Sequence, residues 1–285
     1  MVKILVHQSL TLTEKGEPNQ LGLQLVETLA AKYPISDEKL YSDEAFLEDI
    51  RSSLRGNKPG IVRKLVESCC GEQLKGINRF PDKETIFLLW GSGEAHWVSP
   101  YISPRRIEYD KVVWDRHFDD AKINEQYIMM GHIPSREGAW LTAERRANKN
   151  LKHAETINRK TGIYTRCNKK IHVSVDLDIV SGFPALPCWQ HDKAQDGYRD
   201  VRGLTLDQTV AQILSAIDDN TIRRFDIGGL HLPRDEELKD YKKPGIFDPR
   251  DPEAFRFAVE CYDRILDIAY RKAMKQEGET VNFDT

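Results

Sequence analysis

The sequence is short of everything that marks an exported or membrane-embedded chain. Its five cysteines, Cys69, Cys70, Cys167, Cys188 and Cys261, are odd in number and nowhere form a Cys-x-x-Cys spacing. That argues against a secreted disulfide framework and leaves reduced thiols as the expectation. No apolar run approaches the about 18 to 20 residues of a membrane span, and no basic-then-apolar signal pattern opens the chain, so a cytoplasmic location is the default expectation. Neither sign of charge dominates: Lys and Arg number 42 against 45 Asp and Glu, for a net charge of −3, and the isoelectric point is near 6.3. Nucleic acid and anionic membrane are therefore not expected partners. Internal repeats and low-complexity segments are also missing. A chain of 285 residues could hold one large α/β domain or two small ones; the order of the motifs described below favours a single domain over 1–285.

What the chain does have is an alternation of apolar, β-branched runs with amphipathic stretches. Lys3 to His7 reads as an opening strand and Gln20 to Lys32 as a helix. Residues 44 to 75 read as two helices broken at Gly56-Asn57-Lys58-Pro59-Gly60. Strands are expected to end at Trp90 and Trp114, and the charged segment Glu137 to Asn158 reads as a broken helix. Ile171 to Leu177 reads as a strand, Thr205 to Asp218 as a helix and Ile222 to Ile227 as a strand. Asp251 and Pro252 supply the cap and first position of a closing helix running to about Met274. Its stripe is Phe255, Ala258, Val259, Tyr262, Ile265, Leu266 and Ala269. Such alternation predicts a parallel sheet wound in both directions.

Three of these runs end in polar clusters. Trp114 is followed by Asp115, His117 and Asp119; Val175 by Asp176 and Asp178; and Trp90 by Gly91-Ser92-Gly93-Glu94-Ala95-His96. Alternate residues of a strand share one face, so each aspartate set is expected to project together from a strand's carboxyl end. Taken singly, an aspartate at a strand end more often starts a turn or caps a helix. Together, four aspartates and two histidines at strand exits would repel without a counter-charge, which divalent metal supplies. The donors outnumber what one zinc uses and include no thiolate. Carboxylates with some imidazole favour harder ions such as Mn²⁺, with Fe²⁺, Co²⁺ or Zn²⁺ as alternative occupants, and two ions sharing carboxylates fit this inventory best. Water at such a pair is acidified toward a nucleophile.

In this order the motifs resemble those of the arginase, agmatinase and formiminoglutamase superfamily, the ureohydrolases. Their dimanganese site is built from Gly-Gly-Asp-His, Asp-x-His-x-Asp and Asp-x-Asp segments. The resemblance covers residues 85 to 235 and implies a three-layer α/β/α fold with a mainly parallel, doubly wound sheet. It implies that His96, Asp115, Asp119 and Asp176 hold one Mn²⁺ and that Asp115, His117, Asp176 and Asp178 hold the other. His132, thirteen residues after Asp119, matches a histidine proposed to shuttle protons to the leaving amine, so His132, Asp119 and Asp178 are the implied catalytic residues. Arg202-Gly203-Leu204-Thr205 resembles the family's Gly-Gly-Leu-Thr ahead of a helix. A homo-oligomer is a further expectation from the resemblance.

The departures lie on the substrate side. The family's Asp-x-x-Glu, whose glutamate grips a guanidinium, becomes Asp226 followed at that spacing by Gly229. Ala95 replaces the aspartate of the first motif, Trp97 follows His96, and Ser181 to Val201 forms a longer polar segment. Trp97, His231 and Glu94 are taken as substrate-binding residues. Glu94, Asp120 or the run Asp235-Glu236-Glu237 could replace the missing clamp by a charge-assisted bond. His172 and His153 read as structural or exposed. The expected activity is urea-releasing hydrolysis of a guanidino C–N bond, arginine to ornithine in type, on a small guanidino compound or on arginine within a peptide. Two alternatives stay open: a deacetylase-like amide hydrolase with a single zinc, and a non-catalytic, metal-stabilised binding protein.

Overall fold

β-Branched and apolar residues dominate the central strands because in a parallel sheet both faces are covered. The computed structural model describes residues 2–6, 8–11, 17–36, 86–91, 110–114, 127–130, 157–158, 163–164, 167–184, 204–230 and 250–278. The strands are β1 (Lys3–Val6), β2 (Ile35–Ser36), β3 (Ile86–Gly91), β4 (Asp110–Trp114), β5 (Tyr127–Met130), β6 (Ile157–Asn158), β7 (Ile163–Tyr164), β8 (Lys170–Asp176) and β9 (Thr221–Leu230). The helices are α1 (Gln8–Thr11), α2 (Gln20–Ala30), α3 (Leu206–Asp218) and α4 (Pro252–Gln276). Seven strands form one sheet in the order β2-β1-β3-β9-β8-β4-β5, and every pairing in it is parallel. The steps β1 to β2 and β8 to β9 run in the same direction along the sheet. Right-handed crossovers therefore put α2 and α3 on the same face, where both pack against α4. The chain is thus an α/β fold with a parallel sheet wound both ways. The second helical layer expected from the sequence lies outside the described residues, as do the two helices expected over 44 to 75.

Local chemistry fixes the helix starts. Thr205 and Gln208 form a reciprocal capping box, each side chain bonded to the other's backbone N–H, at 3.1 and 2.8 Å. The Asp251 carboxylate accepts from the Glu253 and Ala254 amides at 2.9 and 3.0 Å, with Pro252 at the first position. Asn19 caps α2. A Cβ on Gly22 would lie 1.4 Å from the Leu10 carbonyl oxygen, so α1 packs against α2 only because that residue is glycine. Buried residues of α4 include Phe255, Ala258, Tyr262, Ile265, Leu266 and Ala269 from the expected stripe, joined by Ala254, Cys261 and Ala273. Among the described residues no helix is long and apolar enough to cross a membrane.

Some boundaries differ from the sequence pattern. β8 stops at Asp176, and Leu177–Ile179 forms a 3-10 turn, because the Asp176 side chain caps that turn. β9 runs on to Leu230 through two glycines. Ile157 and Asn158, expected at a helix end, pair antiparallel with Ile163 and Tyr164; β-branched Ile157 and Ile163 favour extended backbone, and that local preference prevails over helical periodicity. The rest of that expected helix lies outside the described residues. β2 and β5 were not anticipated.

The register of β9 has a side-chain anchor. Ile171 of β8 pairs with Ile222, but His172 pairs with Arg224, so Arg223 is an extra residue in β9. Such a bulge switches which face each later residue of the strand occupies. It sets Asp226 opposite Ser174 and Gly228 opposite Asp176. The carboxamide of Gln276, in the last turn of α4, closes on Ile222 at the bulge: its oxygen accepts from the Ile222 amide at 2.8 Å, and its nitrogen donates to the Ile222 carbonyl at 3.2 Å. Gln276→Ala should lower stability by about 1–3 kcal/mol, the cost of stripping partners from buried backbone polar groups. An unchanged midpoint in urea unfolding would contradict this role.

Candidate metal centre

The strand order brings the ends of the motif-bearing strands together. Gly91 at the end of β3 pairs with Leu230 at the end of β9, Asp176 at the end of β8 pairs with Gly228, and Trp114 at the end of β4 pairs with Val175. β3, β9, β8 and β4 are consecutive in the sheet. The chain segments carrying the three motifs therefore leave one carboxyl edge, the edge where open parallel sheets place their ligands. Trp114, fully buried, donates its indole N–H to Gln212 of α3 at 3.3 Å, which ties the exit of β4 to the helical layer.

Asp176 and Asp178 are both buried. They do not form the alternating pair of a continuous strand that the sequence suggests, because the chain turns between them. Oδ1 of Asp176 accepts the Asp178 backbone N–H at 3.1 Å. Two buried carboxylates so close in the chain place negative charge in a low-dielectric setting. Hard oxygen donors of this kind suit manganese or magnesium better than a thiophilic ion.

Below Asp176 the same face of β8 stays polar. His172, Ser174 and Asp176 alternate with Ile171, Val173 and Val175, and all six are buried. His172, read from the sequence as structural or exposed, is fully buried, with Nε2 2.6 Å from Oδ2 of Asp226 on β9. In this setting a bonded polar pair fixes strand register, and removing one partner leaves the other stranded in the core. Sequence reasoning saw Asp226 as the start of an altered motif and missed its bond to His172, which depends on the bulge at Arg223.

Gly229 explains the missing clamp. Its φ is +111°, and the pairing of β9 with β3 is irregular just before it. A Cβ there would lie 2.3 Å from Oδ1 of Asp176 and 3.0 Å from the Leu177 amide nitrogen. The position thus has no room for any side chain, glutamate included, while Asp176 stays where it is. On the other side of Asp178, Val180 forms a parallel bridge with Leu204, and hydrogen bonds of 2.9 and 3.0 Å link Ser181 and Ile179 to Leu204. The two feet of the longer polar segment are therefore fastened together next to the acidic turn.

Of the residues singled out from the sequence, Asp176 and Asp178 are brought to the sheet edge as expected. His96, Asp115, His117, Asp119 and His132 lie outside the described residues, as do Glu94, Trp97 and His231. Among the described residues no three His, Cys, Asp or Glu side chains gather into a metal-binding group. Tyr262, read only as part of an apolar stripe, is a group the sequence did not single out: its hydroxyl accepts from the Leu230 amide at the end of β9.

No protein-family model and no curated protein matches the chain. Among solved structures it is similar to arginase from Bacillus subtilis, at 14% identity over 93% of this chain and 97% of that one, with a TM-score of 0.47. It is similar to agmatine ureohydrolase of Thermoplasma volcanium, at 15% identity over 97% and 91%, with a TM-score of 0.41. A Trypanosoma cruzi formiminoglutamase variant with Mn²⁺ is similar at 11% identity over 98% and 94%, with a TM-score of 0.48.

Gly229→Ala should cost about 1–3 kcal/mol from the left-handed backbone alone, with the contact to Asp176 adding to it. Thermal unfolding checks this, and a variant as stable as the parent would show that the close approach is not needed.

Proposed function

We propose that this chain is a metal-dependent hydrolase of a non-peptide C–N bond, and specifically that it releases urea from a guanidino group. The observation that supports this most is topological: the strands that precede His96, Asp115 to Asp119 and Asp178, namely β3, β4 and β8, lie with β9 in one consecutive run and end at one edge of a parallel sheet. In this reading His96, Asp115, Asp119 and Asp176 hold one divalent ion and Asp115, His117, Asp176 and Asp178 hold a second, both manganese. When bound, such ions supply the positive charge that makes water a nucleophile near neutral pH and offsets charge developing on the substrate. Asp178 or Asp119, with His132, carries the proton delivered to the leaving amine nitrogen.

The substrate side follows from Gly229. With no side chain to grip a guanidinium from β9, orientation falls to other groups, and Glu94, Trp97 and His231 are the proposed ones: a carboxylate for charge, an indole for stacking and an imidazole at the exit of β9. The longer polar segment after Pro184 is fastened at its base beside Asp178, which suits a substrate larger than a free amino acid. Arginine within a peptide, converted to ornithine with release of urea, is the substrate proposed.

Urea release from free arginine, agmatine and an arginine-containing peptide, each offered to Mn²⁺-loaded protein, tests this. The expected result is urea from the peptide in excess of either small molecule, and none from Asp115→Ala. If the loaded protein releases no urea from any of them, the guanidino assignment is wrong. Acetate released from acetylated lysine would then favour amide hydrolysis.

A further inference from the structure

Tyr262 belongs to the closing helix, far in sequence from every motif residue, yet its contacts reach the chain on both sides of the acidic turn. The residue is fully buried. Its hydroxyl accepts from the Leu230 amide at 3.4 Å, and its ring is tilted against Phe183 with centroids 6.2 Å apart. Leu230 directly follows Gly229, and Phe183 follows the turn that holds Asp178, so Tyr262 touches both chain exits that border the acidic turn. The Gly229 Cα is in turn seated so close to Oδ1 of Asp176 that a Cβ would lie 2.3 Å from it. Burial pushes the Tyr262 phenol well above its ordinary range, and the negative charge of Asp176 pushes it the same way. A neutral hydroxyl that cannot reach water is held by its protein partners, and it holds them.

We propose that Tyr262 is a positioning residue for Asp176. The contacts from its hydroxyl through the Leu230 amide and the Gly229 Cα fix where the carboxylate is presented at the exit of β8. This rests on the reading of Asp176 as a metal ligand. Groups that orient a ligand from behind commonly change metal affinity by about 10- to 100-fold when removed. Tyr262 acts one contact further back, which puts its effect at about tenfold.

Calorimetric titration of Mn²⁺ into the wild-type chain, Tyr262→Phe and Cys261→Ala tests the assignment. Tyr262→Phe keeps the ring against Phe183 and removes a single oxygen. Cys261 is buried on the same helix but takes no part in these contacts, so its loss lowers stability without disturbing Asp176. The expected result is Mn²⁺ binding about tenfold weaker in Tyr262→Phe and unchanged in Cys261→Ala. Equal affinity in Tyr262→Phe and wild type overturns the proposal and leaves Asp176 a ligand. No Mn²⁺ uptake by the wild-type chain overturns the ligand reading, and the role of Tyr262 with it. If Tyr262→Phe does not fold, hydrogen exchange at the Leu230 amide of the wild-type chain decides. Slower exchange on adding Mn²⁺ supports the coupling, and an unchanged rate overturns it.

Discussion

The carboxylate of Asp176 rests on the bare Cα of Gly229, and the architecture around the sheet edge follows from that contact. It holds only if β9 keeps its register against β8, which a bulge at Arg223 sets and Gln276 of the closing helix secures. It also needs the backbone of Gly229 at positive φ, a conformation that L side chains rarely adopt. With both conditions met, Asp176 can cap the turn that buries Asp178, and the exits of β3, β9, β8 and β4 stand side by side. A residue without a side chain next to Asp176 is therefore a requirement of this edge as well as a gap in it.

That view changes how the departure from the ureohydrolase pattern is understood. From the sequence, glycine at 229 is a clamp that has been lost. In the structure it is a position where a side chain has no space while Asp176 keeps its place. The buried pair of His172 and Asp226 deepens the same theme: polar groups inside the sheet, bonded to one another, hold the two central strands in the one alignment that brings Asp176 against Gly229.

Much of this was legible where the signal is local. The helix from Thr205, the Asp251-Pro252 start of α4 and the apolar stripe along it depend on residues a few positions apart, and the structure has helices where the pattern implies them. β8 could be recognised from its β-branched run, although the turn after Asp176 could not, because the aspartate's side chain ends the strand by capping. What the sequence hid is non-local. The extra residue at Arg223 has no composition signature, and the contact between Tyr262 and Leu230 joins positions that only the packing of α4 on β9 makes neighbours. The strand pair of β6 and β7, with Ile157 opposite Tyr164, is hidden by the charged, helix-like sequence that precedes it.

The proposed two-ion centre at this edge stands or falls on metal content, read by elemental analysis of the purified chain after loading with Mn²⁺ and removal of free metal. Two manganese ions per chain are expected, falling when Asp176 is replaced by alanine. A chain that retains no metal, or a single zinc that is indifferent to Asp176, would contradict it.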